Sequence, residues 1–139
     1  QINAVIEAAP ENFLVFSGND GDTLTVLSLG GYGVVSVSAH LVGRQTKQMI
    51  EAAIGGDMAK AAKMHHHLLP LVNALFMTTS PMPLKAAMNE LGFNVGKPRL
   101  PLVELSEAEK AKLRAVLANY EFDAYLSHGA GAAKQTVAV

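Results

Sequence analysis

Apolar residues recur along this chain in two different periods, and the change of period divides it. Phe13-Leu14-Val15-Phe16 is a continuous apolar run closed by Ser17. Such a run predicts a strand over 13–17, covered on both faces as in a parallel sheet. Gly18-Asn19-Asp20-Gly21 follows as a turn, with Asn19 or Asp20 able to cap the next helix. That helix passes through Leu24, Leu27 and Leu29 and stops at Gly30-Gly31, a C-cap pair. Gly33-Val34-Val35-Ser36-Val37-Ser38 then predicts a second strand. Strand, helix and strand joined by short loops make one βαβ unit.

Beyond residue 42 the period is helical throughout. Thr46, Met49, Ile50, Ala53 and Ile54 share one face of a helix predicted over 43–54, ended by Gly55-Gly56. Asp57 is placed to cap a second helix. Its stripe runs Met58, Ala61, Ala62, His65, Leu68, Leu69, Val72, Leu75, Phe76 at i, i+3, i+4, i+7 spacing. Pro70 interrupts that stripe and predicts a kink or break. Ser80-Pro81 reads as N-cap and first-turn proline of a helix carrying Leu84, Ala87, Met88 and Leu91. Residues 93–105 form an extended connection, and Ser106-Glu107-Ala108-Glu109 is a capping box for a last helix with Leu113, Val116, Leu117 and Tyr120 on one face. The Gly- and Ala-rich tail, 128–139, is expected to fray.

Two parallel strands are too few for a stable sheet, and an exposed pair presents unpaired backbone groups. The chain opens at Gln1 inside a helical pattern (Ile2, Val5, Ile6, then Pro10) and without an initiator Met. The partner strands are therefore expected from sequence upstream of Gln1.

Composition narrows the chemistry. Of 139 residues, 50% are hydrophobic and 17% charged, which argues against disorder. Eleven basic against twelve acidic side chains leave a formal charge of −1, with no footprint for nucleic acid or an anionic membrane. No apolar run approaches the roughly 18 residues of a membrane span and no signal peptide opens the chain, so a cytoplasmic location is expected. The absence of cysteine excludes disulfides, thiolate metal sites and cysteine nucleophiles.

At FLVFSGND, LGGYGVVSVSAHLVG and LLPLVNALFMTTSPMPLKAAMNELGFNVGKPRLPLVELSEAE, the chain resembles the dihydrodipicolinate synthase family. The resemblance spans about residues 2–120, with the SGND turn, the glycine-led GVVSV strand and the Pro81-Met82-Pro83-Leu84-Lys85 helix start in family order. It implies an α/β fold: the C-terminal portion of a (β/α)8 TIM barrel, its last two strands, followed by a C-terminal helical extension. Residues 1–55 would belong to the barrel and 56–127 to the extension. It implies a lyase of lysine biosynthesis that joins pyruvate to aspartate semialdehyde through a Schiff base, without a cofactor, commonly as a homotetramer. The Schiff-base lysine and proton-relay tyrosine of that family belong to strands six and five, upstream of the segments matched here. The resemblance assigns Gly18 and Asn19 to the substrate pocket, and Val35 to the pyruvate contact through its backbone carbonyl. The family usually carries aspartate where Asn19 stands.

The residues themselves agree about the lysine. A Schiff-base lysine must be neutral near pH 7, hence desolvated at a strand end. Lys47, Lys60, Lys63, Lys85, Lys97, Lys110, Lys112 and Lys134 all lie on predicted helices, connections or the tail. Tyr32 sits at the N-terminal end of its strand, opposite a barrel's catalytic face.

Other candidate sites are weaker. His65-His66-His67 suggests a metal, but successive helical side chains point about 100° apart and cannot face one ion. His65 falls on the apolar stripe as a packed histidine, with His66 and His67 more exposed. Ser17, Ser36 and Ser38 near His40 lack the G-x-S-x-G elbow and a placed acid that a hydrolase needs. Gly30-Gly31-Tyr32-Gly33 precedes a strand instead of opening a helix, the wrong context for a phosphate loop. Rival expectations are a sister pyruvate aldolase acting on another acceptor aldehyde and a non-enzymatic helical interaction module.

Overall fold

The computed structural model describes residues 1–123; the expected tail at 128–139 and the end of the 56–127 segment lie outside the described residues. The architecture is helix-rich α/β with one small parallel sheet. The elements are α1 (Ile2–Ala8), β1 (Phe16–Ser17), a 3-10 turn (Asp20–Asp22), α2 (Thr23–Ser28), β2 (Gly33–Val34), α3 (Ala39–Ile54), α4 (Met58–Leu75), α5 (Met82–Glu90) and α6 (Glu107–Leu117).

The two strands pair in parallel, Phe16 with Gly33 and Ser17 with Val34. Both are shorter than the sequence predicts, and they are not covered on both faces. Phe13, Leu14, Phe16 and Val35 are exposed. The cause is that each strand has a single neighbour, so pairing extends only as far as the two segments face each other. One backbone bond continues the ladder on each side, from Tyr32 N–H to the Val15 carbonyl and from Val35 N–H to the Ser17 carbonyl. Between the strands, α2 buries Thr23 and Val26 and ends one residue before Leu29, which is exposed. Gly30 takes φ +96°, and the Gly31 amide returns to the Val26 carbonyl at 2.8 Å, turning the chain into β2.

The core lies in the helices: Leu41, Val42 and Met49 of α3, Leu68, Leu71 and Leu75 of α4, Leu84 and Met88 of α5, and Leu113 and Leu117 of α6. Helix α3 begins four residues earlier than predicted, and it kinks at Val42 (φ −131°, ψ 35°). Asp123 spans that kink. Its amide donates to the Leu41 carbonyl at 3.0 Å, and its carboxylate accepts from the Arg44 amide at 3.2 Å. The face of α3 is also rotated from the expected one, with Ala52 buried and Ile54 67% exposed.

Helix α4 is capped by Asp57, whose side chain accepts from the Lys60 amide at 3.0 Å. It neither breaks nor ends at Pro70. Pro70 has no N–H to give the carbonyl four residues back. One residue on, the Leu71 amide donates to the Tyr120 hydroxyl at 3.2 Å, and that hydroxyl donates to the His67 carbonyl at 2.6 Å. The phenol thus occupies the gap in the ladder, one of the recognised ways a helix accommodates proline. Tyr120 can do so because α6 stops at Leu117 and does not include it.

Helix α5 starts one residue later than predicted. Pro81 is its N-cap, Ser80 makes no cap, and Pro83 occupies the first turn, where a missing N–H costs nothing. The capping box of α6 forms as the sequence indicates: the Glu109 amide donates to the Ser106 hydroxyl, and the Glu109 carboxylate accepts from the Ser106 amide at 2.8 Å.

Candidate functional site

Parallel pairing brings the C-terminal ends of both strands to one rim. Gly18, Asn19 and Asp20 leave β1 there, and Val35, Ser36 and Ser38 leave β2. The Val35 amide donates to the Ser17 carbonyl at 2.9 Å, so Val35 lies beside the Gly18 turn. The three expected site residues therefore come together. Val35 is 73% exposed, with its side chain outside the core. A Cβ added to Gly18 would meet nothing within 4 Å, and Gly18 does not have a positive φ. Neither packing nor backbone conformation among the described residues requires glycine at that position.

Asn19 closes the turn. Its side-chain oxygen accepts from the Gly21 amide at 3.1 Å, the Asx cap the sequence suggests. Its side-chain amide donates to Asp22 at 2.9 Å. An aspartate at position 19 could not make that second contact and would set two carboxylates against each other. Asparagine at position 19 thus has a local reason in this chain.

Asp20 caps no helix with its side chain. It is 6% exposed, and its carboxylate accepts from the Ser36 hydroxyl, the Val37 amide at 2.9 Å, the Ser38 amide at 3.1 Å and the Ser38 hydroxyl at 2.5 Å. Four donors around one buried carboxylate form a charge-assisted clamp, stronger per bond than neutral pairs. The clamp joins the turn after β1 to the segment after β2, immediately beyond Val35. Ser36 and Ser38 thereby gain a role that has nothing to do with nucleophilic chemistry. Sequence reading missed this cluster. Its one visible signal was a pair of small hydroxyls at alternate positions of the second strand, with an acidic residue in the preceding turn.

The histidine triplet behaves as helix geometry dictates. His65 is half-buried, while His66 and His67 are exposed. Burial holds the His65 imidazole below its ordinary pKa, the neighbouring His66 adds to the lowering, and Asp22 partly opposes it. Among the described residues no group of three or more His, Asp or Glu side chains is placed to hold a metal ion. No described lysine stands at a strand end: Lys47 is on α3, Lys60 and Lys63 on α4, Lys85 on α5, Lys110 and Lys112 on α6, and Lys97 on the connection. Lys134 lies outside the described residues. A cleft of about 370 Å³ lies between α5, the 93–105 connection and α6, with no lining residue from the strand ends. Among the described residues no helix is long and apolar enough to cross a membrane.

Residues 1–120 match the model of the dihydrodipicolinate synthetase family. The 4-hydroxy-tetrahydrodipicolinate synthase of Desulforudis audaxviator is 56% identical over 108 residues, which are 78% of this chain and 37% of that protein. The crystal structure of dihydrodipicolinate synthase from Thermotoga maritima superposes with a TM-score of 0.81 at 39% identity, over 84% of this chain and 41% of that one. The chloride-inhibited dihydrodipicolinate synthase of Acinetobacter baumannii, complexed with pyruvate, superposes with a TM-score of 0.79 at 30% identity, covering 85% and 40%. This chain spans about 40% of the length of the relatives it matches.

Proposed function

The chain belongs to the dihydrodipicolinate synthetase family, and from that premise we propose that it forms the C-terminal part of a Schiff-base lyase that condenses pyruvate with aspartate semialdehyde. In this reading β1 and β2 are the last two strands of a (β/α)8 barrel, residues 1–55 belong to that barrel, and 56–127 form its helical extension. The remaining strands cover the exposed Phe13, Phe16 and Val35. They also supply the lysine that bonds to pyruvate and the tyrosine that relays protons.

The contribution of this chain is one wall of the pocket. Active sites of such barrels lie at the C-terminal ends of the strands, and here that rim carries Gly18, Asn19 and Val35. Gly18 leaves room for substrate, and the Val35 carbonyl accepts a polar contact from it. The Asp20 clamp is a positioning device, fixing the chain immediately after Val35 so that its carbonyl is held before substrate arrives. The complete protein is a cytoplasmic homotetramer that needs no cofactor.

The observation that carries this proposal is the parallel β1–β2 pairing, which sets Val35 against the Gly18 turn through the Val35–Ser17 bond. The complete polypeptide, assayed with pyruvate and a panel of aldehydes, is expected to turn over aspartate semialdehyde with the highest kcat/KM. A preference for another acceptor would move the protein to a sister aldolase, and no turnover with any of them would overturn the proposal.

A further inference from the structure

Thr46 is buried at 7% exposure, and its hydroxyl is the one buried side-chain polar atom among the described residues without a hydrogen-bond partner. A helical threonine commonly satisfies its hydroxyl on the carbonyl three or four residues back. For Thr46 that stretch begins at Val42, where α3 is kinked out of helical geometry. Thr46 is one of the residues lining a cavity of about 10 Å³, with Asp20, Ser38, Met49, His65 and Leu68 among the others. About 10–15 Å³ is the least that holds one water, which also needs two to four polar partners. Five of the cavity's ten lining residues, Asp20, Thr23, Ser38, Thr46 and His65, carry polar side chains.

We propose that this cavity binds one ordered water, anchored by the Thr46 hydroxyl and shared with the polar groups of Asp20, Ser38 and His65. The water links Thr46 of α3 and His65 of α4 to the clamp behind the strand ends. A hard cation is disfavoured because it takes about six or more oxygen ligands, while both Asp20 oxygens already accept from protein donors. This site does not depend on the proposed reaction, and it is tested in the complete polypeptide.

A high-resolution crystal structure of the complete polypeptide is expected to show a water-sized peak within hydrogen-bond distance of Thr46 Oγ1 and of at least one of Asp20, Ser38 and His65. No peak beside Thr46 Oγ1, or a cation-like peak with six short oxygen contacts, would overturn the proposal. Thr46→Val gives a second reading by thermal unfolding. If the water is bound, losing its anchor lowers Tm by several degrees. If the cavity is dry, replacing an unpartnered hydroxyl with a methyl leaves Tm unchanged or raises it, and that result would also overturn the proposal.

Discussion

The phenol oxygen of Tyr120 accepts the amide hydrogen of Leu71 at 3.2 Å, inside the hydrogen-bond ladder of another helix. The same oxygen donates to the His67 carbonyl at 2.6 Å. One side chain from the segment after α6 therefore repairs α4 beside Pro70 and fastens the C-terminal end of the described chain to its longest helix. Tyr120→Phe keeps the ring and removes the bridge. It is expected to destabilise the chain by about 1–3 kcal/mol, the cost of leaving the partly buried Leu71 amide unsatisfied. Urea denaturation measures it, and an unchanged midpoint would show that the bridge contributes nothing.

Tyr120 also fixes the sign of an alkaline effect. Burial raises the phenol above its ordinary pKa, and the Leu71 amide works against that rise. Because the folded value lies above the unfolded one, near 10, the stabilisation is complete below about pH 10 and lost as pH rises through the folded value. The stability gap between wild type and Tyr120→Phe should therefore narrow as pH rises above about 10. A constant gap above that pH would contradict the assignment.

His65 acts at the acid end. Burial, aided by His66 and opposed by Asp22, lowers its pKa in the fold. The unfolded chain then takes up the proton first, from about pH 6.5 downward. Stability should fall as pH drops from there through the lowered folded value. His65→Gln should flatten the curve in that window, as followed by thermal unfolding in a pH series.

Asp20→Asn tests the clamp. An amide cannot accept on both sides, so its NH2 would face the Val37 or Ser38 donors. The expected loss is about 1.5–3 kcal/mol, the range for hydrogen bonds to a charged group. Ser38→Ala should cost less, because the backbone amide of residue 38 still donates.

Gly18 and Gly31 should behave in opposite ways. A Cβ at Gly18 meets nothing within 4 Å, so Gly18→Ala should leave stability within about 0.5 kcal/mol of wild type. In the complete protein it should raise KM for pyruvate by crowding the pocket. A Cβ at Gly31 would strike the Val26 side chain and lie 2.8 Å from its carbonyl oxygen. Gly31→Ala should therefore cost roughly 1–3 kcal/mol.

Local rules made much of this fold readable in the chain. The Asp57 cap, the Ser106–Glu109 box and the glycine after α2 are each decided within a few residues, and each forms where the pattern puts it. What escaped depends on groups far apart in sequence. Asp123 spans the kink in α3 from 79 positions away, and Tyr120 reaches Leu71 across 49. The strand lengths were overestimated for a related reason: an apolar run indicates that a segment can be buried, while pairing depends on which neighbour is present. At the rim, sequence brought Gly18, Asn19 and Val35 forward by resemblance. The Asp20 clamp next to them became visible only when the two turns met in space.

Borohydride trapping of the 139-residue chain with pyruvate, followed by intact-mass measurement, tests the division of labour most directly. The account predicts an unmodified chain under conditions in which the complete polypeptide gains one reduced pyruvate adduct. A covalent adduct on a lysine of this chain would contradict it.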